Sequence, residues 1–256
     1  ALPGELGKGL YTCDWGRSVV YRHPLTPNGA GFVAEQEPFL ELPRPTDMDV
    51  DVAGNLYVSS WKDGGFKFSD NNVGYVVRVK PPQVTTPGHP NAKTQAERST
   101  AELLAQLSAP SHTLRVQAQR EILRRNDPAV FTPGLKDLMT GDASLAVKVA
   151  AIFTFKQLLG AAANDTLLQL SQNATVREAA LRAAADRETQ LGETSPAVFA
   201  HWLKDSNPRV RLQAVRGLGR FPARVVQPIA AQILPLTVDG DPLVAQVPVL
   251  RLESRV

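Results

Sequence analysis

The sequence predicts an α+β multidomain chain: about two β-propeller blades followed by an all-α solenoid. Three observations carry that expectation. The first third is rich in Gly, Trp, Tyr and Val and contains short apolar runs that repeat themselves. A stretch rich in Pro, Thr and Gly, "PPQVTTPGHPNAKTQ", interrupts the chain at residues 81–95. Beyond it Ala, Leu and Arg dominate, and a short apolar–basic motif recurs at near-constant spacing. The chain has 256 residues, 43% of them hydrophobic, enough for one large domain or two ordinary ones with a packed core. The boundaries expected are strands over 1–82, a linker over 83–96 and helices over 97–256.

The strand region is read first from "RPTDMDVDVAGNLYVSSW", Arg44 to Trp61. Two alternating runs flank a Gly-Asn turn, the signature of a β-hairpin. The string "GLYTCDWG" (Gly9 to Gly16) is matched by "NLYVSSWK" (Asn55 to Lys62), which puts Leu10 and Leu56 46 residues apart. Each copy is followed by a second apolar run, "SVVYRHPL" from Ser18 and "GYVVRVKPP" from Gly74. A β-rich repeat of this period suggests propeller blades. A propeller closes with ~4–8 blades, so two blades imply others upstream or from another chain. The start at Ala1 rather than Met is read in the same sense, as a processed or truncated protein.

The helical region repeats as "LRVQA" at Leu114, "VKVAA" at Val147, "VREAA" at Val176, "VRLQA" at Val210 and a degenerate "VAQVP" at Val244. The spacings are 33, 29, 34 and 34 residues. Polar turns precede the motifs, most clearly "DSNPRV" and "DGDPLV", where an acidic or amide side chain caps and Pro occupies the first turn. A further amphipathic helix precedes each turn: "AELLAQLS", "TPGLKDLM", "NDTLLQLS" and "AVFAHWLK". Paired helices at this period stack as an α-solenoid of about five repeats, the last degenerate or truncated. Ala118, Ala150, Ala179 and Ala214 are expected at the close approaches between neighbouring helices.

The helical half, on its "VRxxA" motif, resembles short HEAT-like repeats of the bacterial phycobilin-lyase type. The first half, on "YTCDWGRSVVYRH", "RPTDMDVDVAGNLYVSSW" and "NNVGYVVRVKPP", looks like the end of a glucose/sorbosone dehydrogenase-type β-propeller. The combination is similar to large predicted membrane-associated dehydrogenases of planctomycetes and their relatives, in which such repeats often lead into a c-type cytochrome domain. The resemblance implies a periplasmic or envelope-associated oxidoreductase acting on a sugar or alcohol. It also implies pyrroloquinoline quinone and c-type haem as cofactors of the full-length protein, and a cytochrome as a partner.

Asp14 and Arg17 in "CDWGRS", and Arg44 and Asp47 in "RPTD", are the candidate cofactor-binding residues, facing a polar propeller channel. Arginine suits this role because its planar guanidinium pairs with carboxylates and stacks on flat rings. The alternative is structural: the acids cap turns and Trp15 packs between blades. Asp49 and Asp51 are either ligands for a hard cation or a solvated strand face; two carboxylates fall short of the six to eight oxygens calcium takes. His23, His89, His112 and His201 form no metal-binding spacing. Phe66 and Phe68 lie in an extended loop, "KDGGFKFSDNNVGY", expected to touch a substrate or pack on the helical half.

Arg115, Lys148, Arg177 and Arg211 share one repeat position and either form a basic ladder for a partner or bond the neighbouring turn. Arg209, Arg216, Arg220 and Arg224 form a positive patch suited to an acidic protein partner. A net charge of +3 is well short of a nucleic-acid-binding signature. The single cysteine, Cys13, permits no internal disulfide and no CxxCH haem attachment, and reads as a small buried hydrophobe. No uninterrupted apolar run of membrane-spanning length and no GxSxG or phosphate-loop pattern occurs. Three functions compete: a section of a multidomain oxidoreductase whose repeats position partner modules, a non-enzymatic binding scaffold, and, on the repeat family's name alone, a bilin lyase.

Overall fold

A computed structural model describes residues 2, 4–61, 73–80 and 93–253, with side chains to 247. The fold is α+β, with two small antiparallel sheets and a larger helical part. Contacts divide it into two compact units. One comprises Ala1–Thr26, Phe32–Glu97 and Ala109–Gln117; the other comprises Pro27–Gly31, Arg98–Ser108 and Ala118–Val256.

The first unit holds the strands β1 (Gly9–Asp14), β2 (Val19–Asn28), β3 (Gly31–Ala34), β4 (Glu37–Glu41), β5 (Asp47–Val50), β6 (Leu56–Trp61) and β7 (Gly74–Val79). In the first sheet β1 pairs β2 antiparallel from Gly9↔Pro24 to Asp14↔Val19. β2 also pairs β4, with a register shift between Val20 and Tyr21. In the second sheet β5, β6 and β7 form a meander, with Met48 opposite Val58 and Val58 opposite Val77. Val20, Leu42, Leu56 and Val58 are the buried centre, and Tyr11, Cys13, Phe39 and Met48 pack against it.

The hairpin read from Arg44–Trp61 is present as β5–β6, but its connection is longer than a Gly-Asn turn. Residues 51–55 form the loop, closed by Asp51 N–H donating to the Asn55 carbonyl at 3.0 Å, with Gly54 at φ +82°. Asp51 is the organiser. Its carboxylate accepts from the N–H groups of Ala53 and Asn55, both at 2.9 Å, the Asn55 amide at 2.7 Å and the Tyr57 hydroxyl at 3.2 Å.

The two matched strings both form strands, β1 and β6, and each pairs with the run that follows it. Their faces are out of phase. Leu56 is 1% exposed, whereas Leu10, its sequence counterpart, is 58% exposed and Tyr11 turns inward instead. A shift of one residue exchanges the two faces of a strand, so the repeat in letters is not a repeat in side-chain direction.

The second unit is built mainly from helices. They are α1 (Thr100–Leu107), α2 (His112–Arg125, whose first residues count with the first unit), α3 (Pro128–Thr140), α4 (Leu145–Leu159), α5 (Asn164–Leu170), α6 (Arg177–Ala184), α7 (Ala197–Ala200), α8 (Pro208–Leu218), α9 (Ala223–Val226), α10 (Ala230–Ile233) and α11 (Pro242–Glu253). Helix starts follow the capping chemistry. Ser99 and Glu102 form a reciprocal capping box at α1, Asp127 caps α3 ahead of Pro128, and Asn207 caps α8 ahead of Pro208. Asn126, at φ +50°, closes α2 in the left-handed conformation that Asn tolerates. The five motifs fall on α2, α4, α6, α8 and α11. Between α8 and α11 the partner helix is broken into α9, α10 and 3₁₀ turns, where Pro228 and Pro235 remove backbone donors.

The small residues at the close approaches are Ala118, Ala151, Ala180 and Ala214, all 0% exposed. Ala150 and Ala179, expected there from the sequence, are only half-buried. They stand one residue ahead of the fifth motif position, and one residue turns a side chain about 100° round a helix.

The run Leu145–Leu170, α4 continued through a 3₁₀ turn into α5, is long and apolar enough to cross a membrane by length and composition. In this fold its Ala151, Ile152, Phe155 and Leu167 are core residues, and α4 packs on α3 and α6.

Candidate functional site

In the first unit, the turn between β1 and β2 gathers three of the four candidate cofactor residues. Asp14 Oδ1 accepts from the Arg17 N–H at 2.9 Å, and its other oxygen lies 3.9 Å from Arg17 Nε. Arg44 comes in from the chain ahead of β5. Its guanidinium carbon sits 4.3 Å over the Trp15 ring, and Nη1 donates to the carbonyls of Trp15 at 3.1 Å and Gly16 at 3.2 Å. Trp15 in turn lies 6.3 Å from Trp61. Ser18 and Arg44 both have positive φ, 60° and 46°, and Arg44 N–H donates to the Ser18 hydroxyl at 3.4 Å. Non-glycine residues in that region carry local strain held by their surroundings.

Asp47 does not join this group. Its carboxylate accepts from the adjacent Met48 N–H at 2.8 Å, and its carbonyl accepts from the Ser59 hydroxyl. The Cys13 thiol is pushed up first by burial and then by the charge of Asp47, which suits a packing cysteine and not a nucleophile.

This arrangement does not fit the quinone that the resemblance implies. The guanidinium of Arg44 is stacked and spent on turn carbonyls, and Asp14 is spent on Arg17. That leaves a tied turn with no open plane for a quinone. The one cysteine lies inside β1 against apolar neighbours.

The acidic pair is no cation site. Asp51 is saturated by its own turn, and Asp49 accepts from the next N–H, that of Val50, at 2.7 Å. Among the described residues no three His, Cys, Asp or Glu groups converge. His23 bonds Thr12 at 2.8 Å, and His201 stacks edge-on against Trp202 at 4.7 Å. Phe66, Phe68 and His89 lie outside the described residues.

The recurring basic position does one job three times. Arg115 Nη1 donates to the carbonyls of Ala109 and Pro110. Arg177 donates to those of Ser171 and Gln172. Arg211 donates to those of Asp205 and Ser206. In each case the acceptors stand six and five residues earlier, in the stretch that leads into the arginine's own helix, where free carbonyls need donors. Two of these arginines also reach one repeat onward: Arg177 to Asp205 at 2.8 Å, and Arg211 to Asp239 at 2.8 and 2.7 Å. Lys148, at the same position, makes no side-chain bond of this kind among the described residues.

The proposed positive patch separates into different roles. Arg209 donates to the carbonyls of Gly29 at 3.3 Å and Gly31 at 2.9 Å, residues that count with the helical unit. Arg224 is exposed on α9. Arg216 and Arg220 line a cavity of about 260 Å³ together with Arg182, Asp186, Gln213, Ala185 and Gly217.

Two features of the helical unit escaped the sequence reading. Arg182 stands 34 residues before Arg216, at the same repeat position, so the period already contained it. Phe153, one shorter repeat earlier, holds that position too, and the Arg182 guanidinium lies 5.7 Å over its ring. The second is a buried polar knot. Lys156 Nζ donates to Asn164 Oδ1 at 2.7 Å and to the Gln190 carbonyl at 3.2 Å. The Asn164 amide donates to the carbonyls of Gln190 and Leu191 and to Thr194. Burial holds the Lys156 ammonium below its ordinary value. A lysine between apolar residues in "FTFKQLL" was its only trace in the sequence.

No protein-family model and no curated protein matches the chain.

Proposed function

We propose that the chain is a positioning section of a larger protein, in which terminal β-propeller blades lead into a HEAT-like α-solenoid that holds partner or electron-transfer modules. The arginine device carries this reading. The same side chain closes the same two carbonyls in three places, and twice clasps an aspartate 28 residues on. Such a fixed joint between successive helix pairs makes the stack a stiff, quasi-one-dimensional spacer. Phe153, Arg182 and Arg216, in one file along it, support the same stacking.

In this proposal the complete protein is a periplasmic or envelope-associated sugar or alcohol dehydrogenase, its blades completed by further sequence or another chain and its electrons passed to a cytochrome. That part rests on the likeness of the strand-region strings alone. Redox chemistry then belongs to residues other than Asp14, Arg17 and Arg44, which the turn already occupies, and Asp47, whose carboxylate accepts from the adjacent Met48 N–H. The same occupation favours the alternative, a non-enzymatic protein-binding scaffold. Purified full-length protein, assayed for bound quinone and haem and for dye-linked oxidation of sugars and alcohols, separates the two. Cofactor and oxidation together uphold the dehydrogenase. A stable multi-subunit complex with neither upholds the scaffold and ends the redox reading.

A further inference from the structure

Most arginines of the helical unit are held by acceptors, but one group of three is not. Arg124, Arg125, Arg177, Arg209 and Arg211 each end on a carboxylate or a carbonyl. Arg182 and Arg216 are exposed and Arg220 is half-buried; among the described residues their guanidinium groups make no hydrogen bond or ion pair, and all three line one cavity between α6 and α8. Asp186 shares the lining, but its ion pair is with Arg187, at 4.0 Å, outside the cavity. Gln213 completes the wall from α8. It is 5% exposed. Three guanidiniums that converge on one cavity with a single carboxylate concentrate positive charge there, which favours an anionic acceptor.

We propose that this cavity binds a small oxyanion of the carboxylate or phosphate class. Guanidinium groups present planar, paired donors that match such oxygens, and Gln213 supplies a further neutral donor. The cavity's volume, about 260 Å³, is below the ~300–1,000 Å³ of pockets that hold drug-sized ligands, and suits a group of a few heavy atoms. The local period explains how the site arises. Arg182 and Arg216 hold equivalent positions of consecutive repeats, while Arg220 stands where the preceding repeat has Asp186. That single replacement turns what would be a self-neutralising pair into a net positive pocket. The oxyanion has two sources, a free small anion or an acidic side chain of a bound protein.

The test is calorimetric titration of the 256-residue chain with inorganic phosphate, succinate and a short glutamate-containing peptide, each at fixed ionic strength. Saturable one-to-one binding is expected, weakened about tenfold or more in Arg182→Gln/Arg216→Gln. Gln213→Glu, which sets a carboxylate against the anion, is expected to abolish it. Arg224→Gln, on the exposed α9, leaves it unchanged. Unfolding curves of each variant confirm that the fold persists. Tighter binding of free phosphate or succinate identifies a small-molecule source; tighter binding of the peptide identifies an acidic side chain. Absence of saturable binding for all three probes, or binding that the double variant leaves intact, overturns the proposal.

Discussion

Arg211 holds Asp239 through two parallel hydrogen bonds, Nε to Oδ2 at 2.8 Å and Nη2 to Oδ1 at 2.7 Å, across 28 residues of sequence. The fork is also anchored behind, because Nη1 donates to the carbonyls of Asp205 and Ser206. Asp239 in turn accepts from the Asp241 N–H at 2.9 Å, which fixes the turn that opens α11. Arg211→Ala therefore strips donors from a mostly buried carboxylate and two carbonyls at once. A loss of about 2–4 kcal/mol is expected, read from urea unfolding. Arg211→Lys recovers less than half, since a single ammonium cannot span both oxygens. A double-mutant cycle with Asp239→Asn should return a coupling of about 1–3 kcal/mol; a coupling near zero would show that the pair does not join the repeats. The Asp239 carboxyl is held below its ordinary 3.8 first by the Arg211 hydrogen bond. Its contribution is present above 3.8 and is lost as the pH falls through the lower folded value.

Glu121 gives a second acid-sensitive point, at the other end of the helical region. It is 6% exposed and accepts from Arg124 Nε and Nη2, both at 2.7 Å, and from Arg125 Nε at 2.9 Å. The Arg124 hydrogen bonds, then those of Arg125, bring its carboxyl from 4.5 down to about 2. A depressed carboxyl stabilises the fold fully above its unfolded value and loses that effect between 4.5 and about 2. Glu121→Gln is expected to be less stable than the parent at neutral pH, with the gap closing as pH falls through that window. Unfolding free energies measured across the acid range check this, and a gap independent of pH would contradict it.

Capping and period were legible in the sequence wherever a local rule sets the structure. Asn207-Pro208 and Asp241-Pro242 announce helix starts, and the apolar–basic motif lands on five helices. What the letters missed was phase. Leu10 and Leu56 match by eye yet face opposite ways, and Ala150 and Ala179 sit one residue from the buried line. Likeness between strings does not fix which face turns inward; the pairing partners do. Asp14, Arg17 and Arg44 meet at the β1–β2 turn, where their partners are backbone groups and each other. Backbone acceptors leave no mark in a sequence. The arginine cavity was half visible, because Gln213, Arg216 and Arg220 are close in sequence while Arg182 joins them only through the packing of α6 on α8.

Close packing between α7 and α8 makes Gly217 a sensitive position. A Cβ there would stand 2.9 Å from Phe199 Cγ and closer still to the ring's Cδ1. Phe199 is fully buried and packs edge-on against Phe221 at 6.0 Å, so the ring has little room to retreat. Gly217→Ala is expected to cost about 1–3 kcal/mol through overpacking, even though alanine is the better helix former. Gly240 is the control, because a Cβ there meets nothing within 4 Å. Thermal melts of the two alanine variants should separate clearly, and equal melts would show that α7 is not seated against α8.

The Lys156–Asn164 knot predicts an order of effects that simple polarity would invert. Lys156 is fully exposed to no solvent, and its ammonium rests on the Asn164 side chain and the Gln190 carbonyl. Burial depresses its affinity for a proton, so the unfolded chain binds protons more readily, and stability rises with pH from the depressed value toward 10.5. Lys156→Met removes the buried charge while keeping the volume, and the lost hydrogen bonds are partly offset by the relieved desolvation. Asn164→Ala keeps the charge, takes away its best acceptor and strips donors from the carbonyls of Gln190 and Leu191. Asn164→Ala is therefore expected to cost about 2–4 kcal/mol, and Lys156→Met distinctly less. Lys156→Met should also flatten the rise of stability at alkaline pH. Urea unfolding at neutral and alkaline pH measures both, and a larger loss for Lys156→Met would mean that the lysine, not the asparagine, holds the knot together.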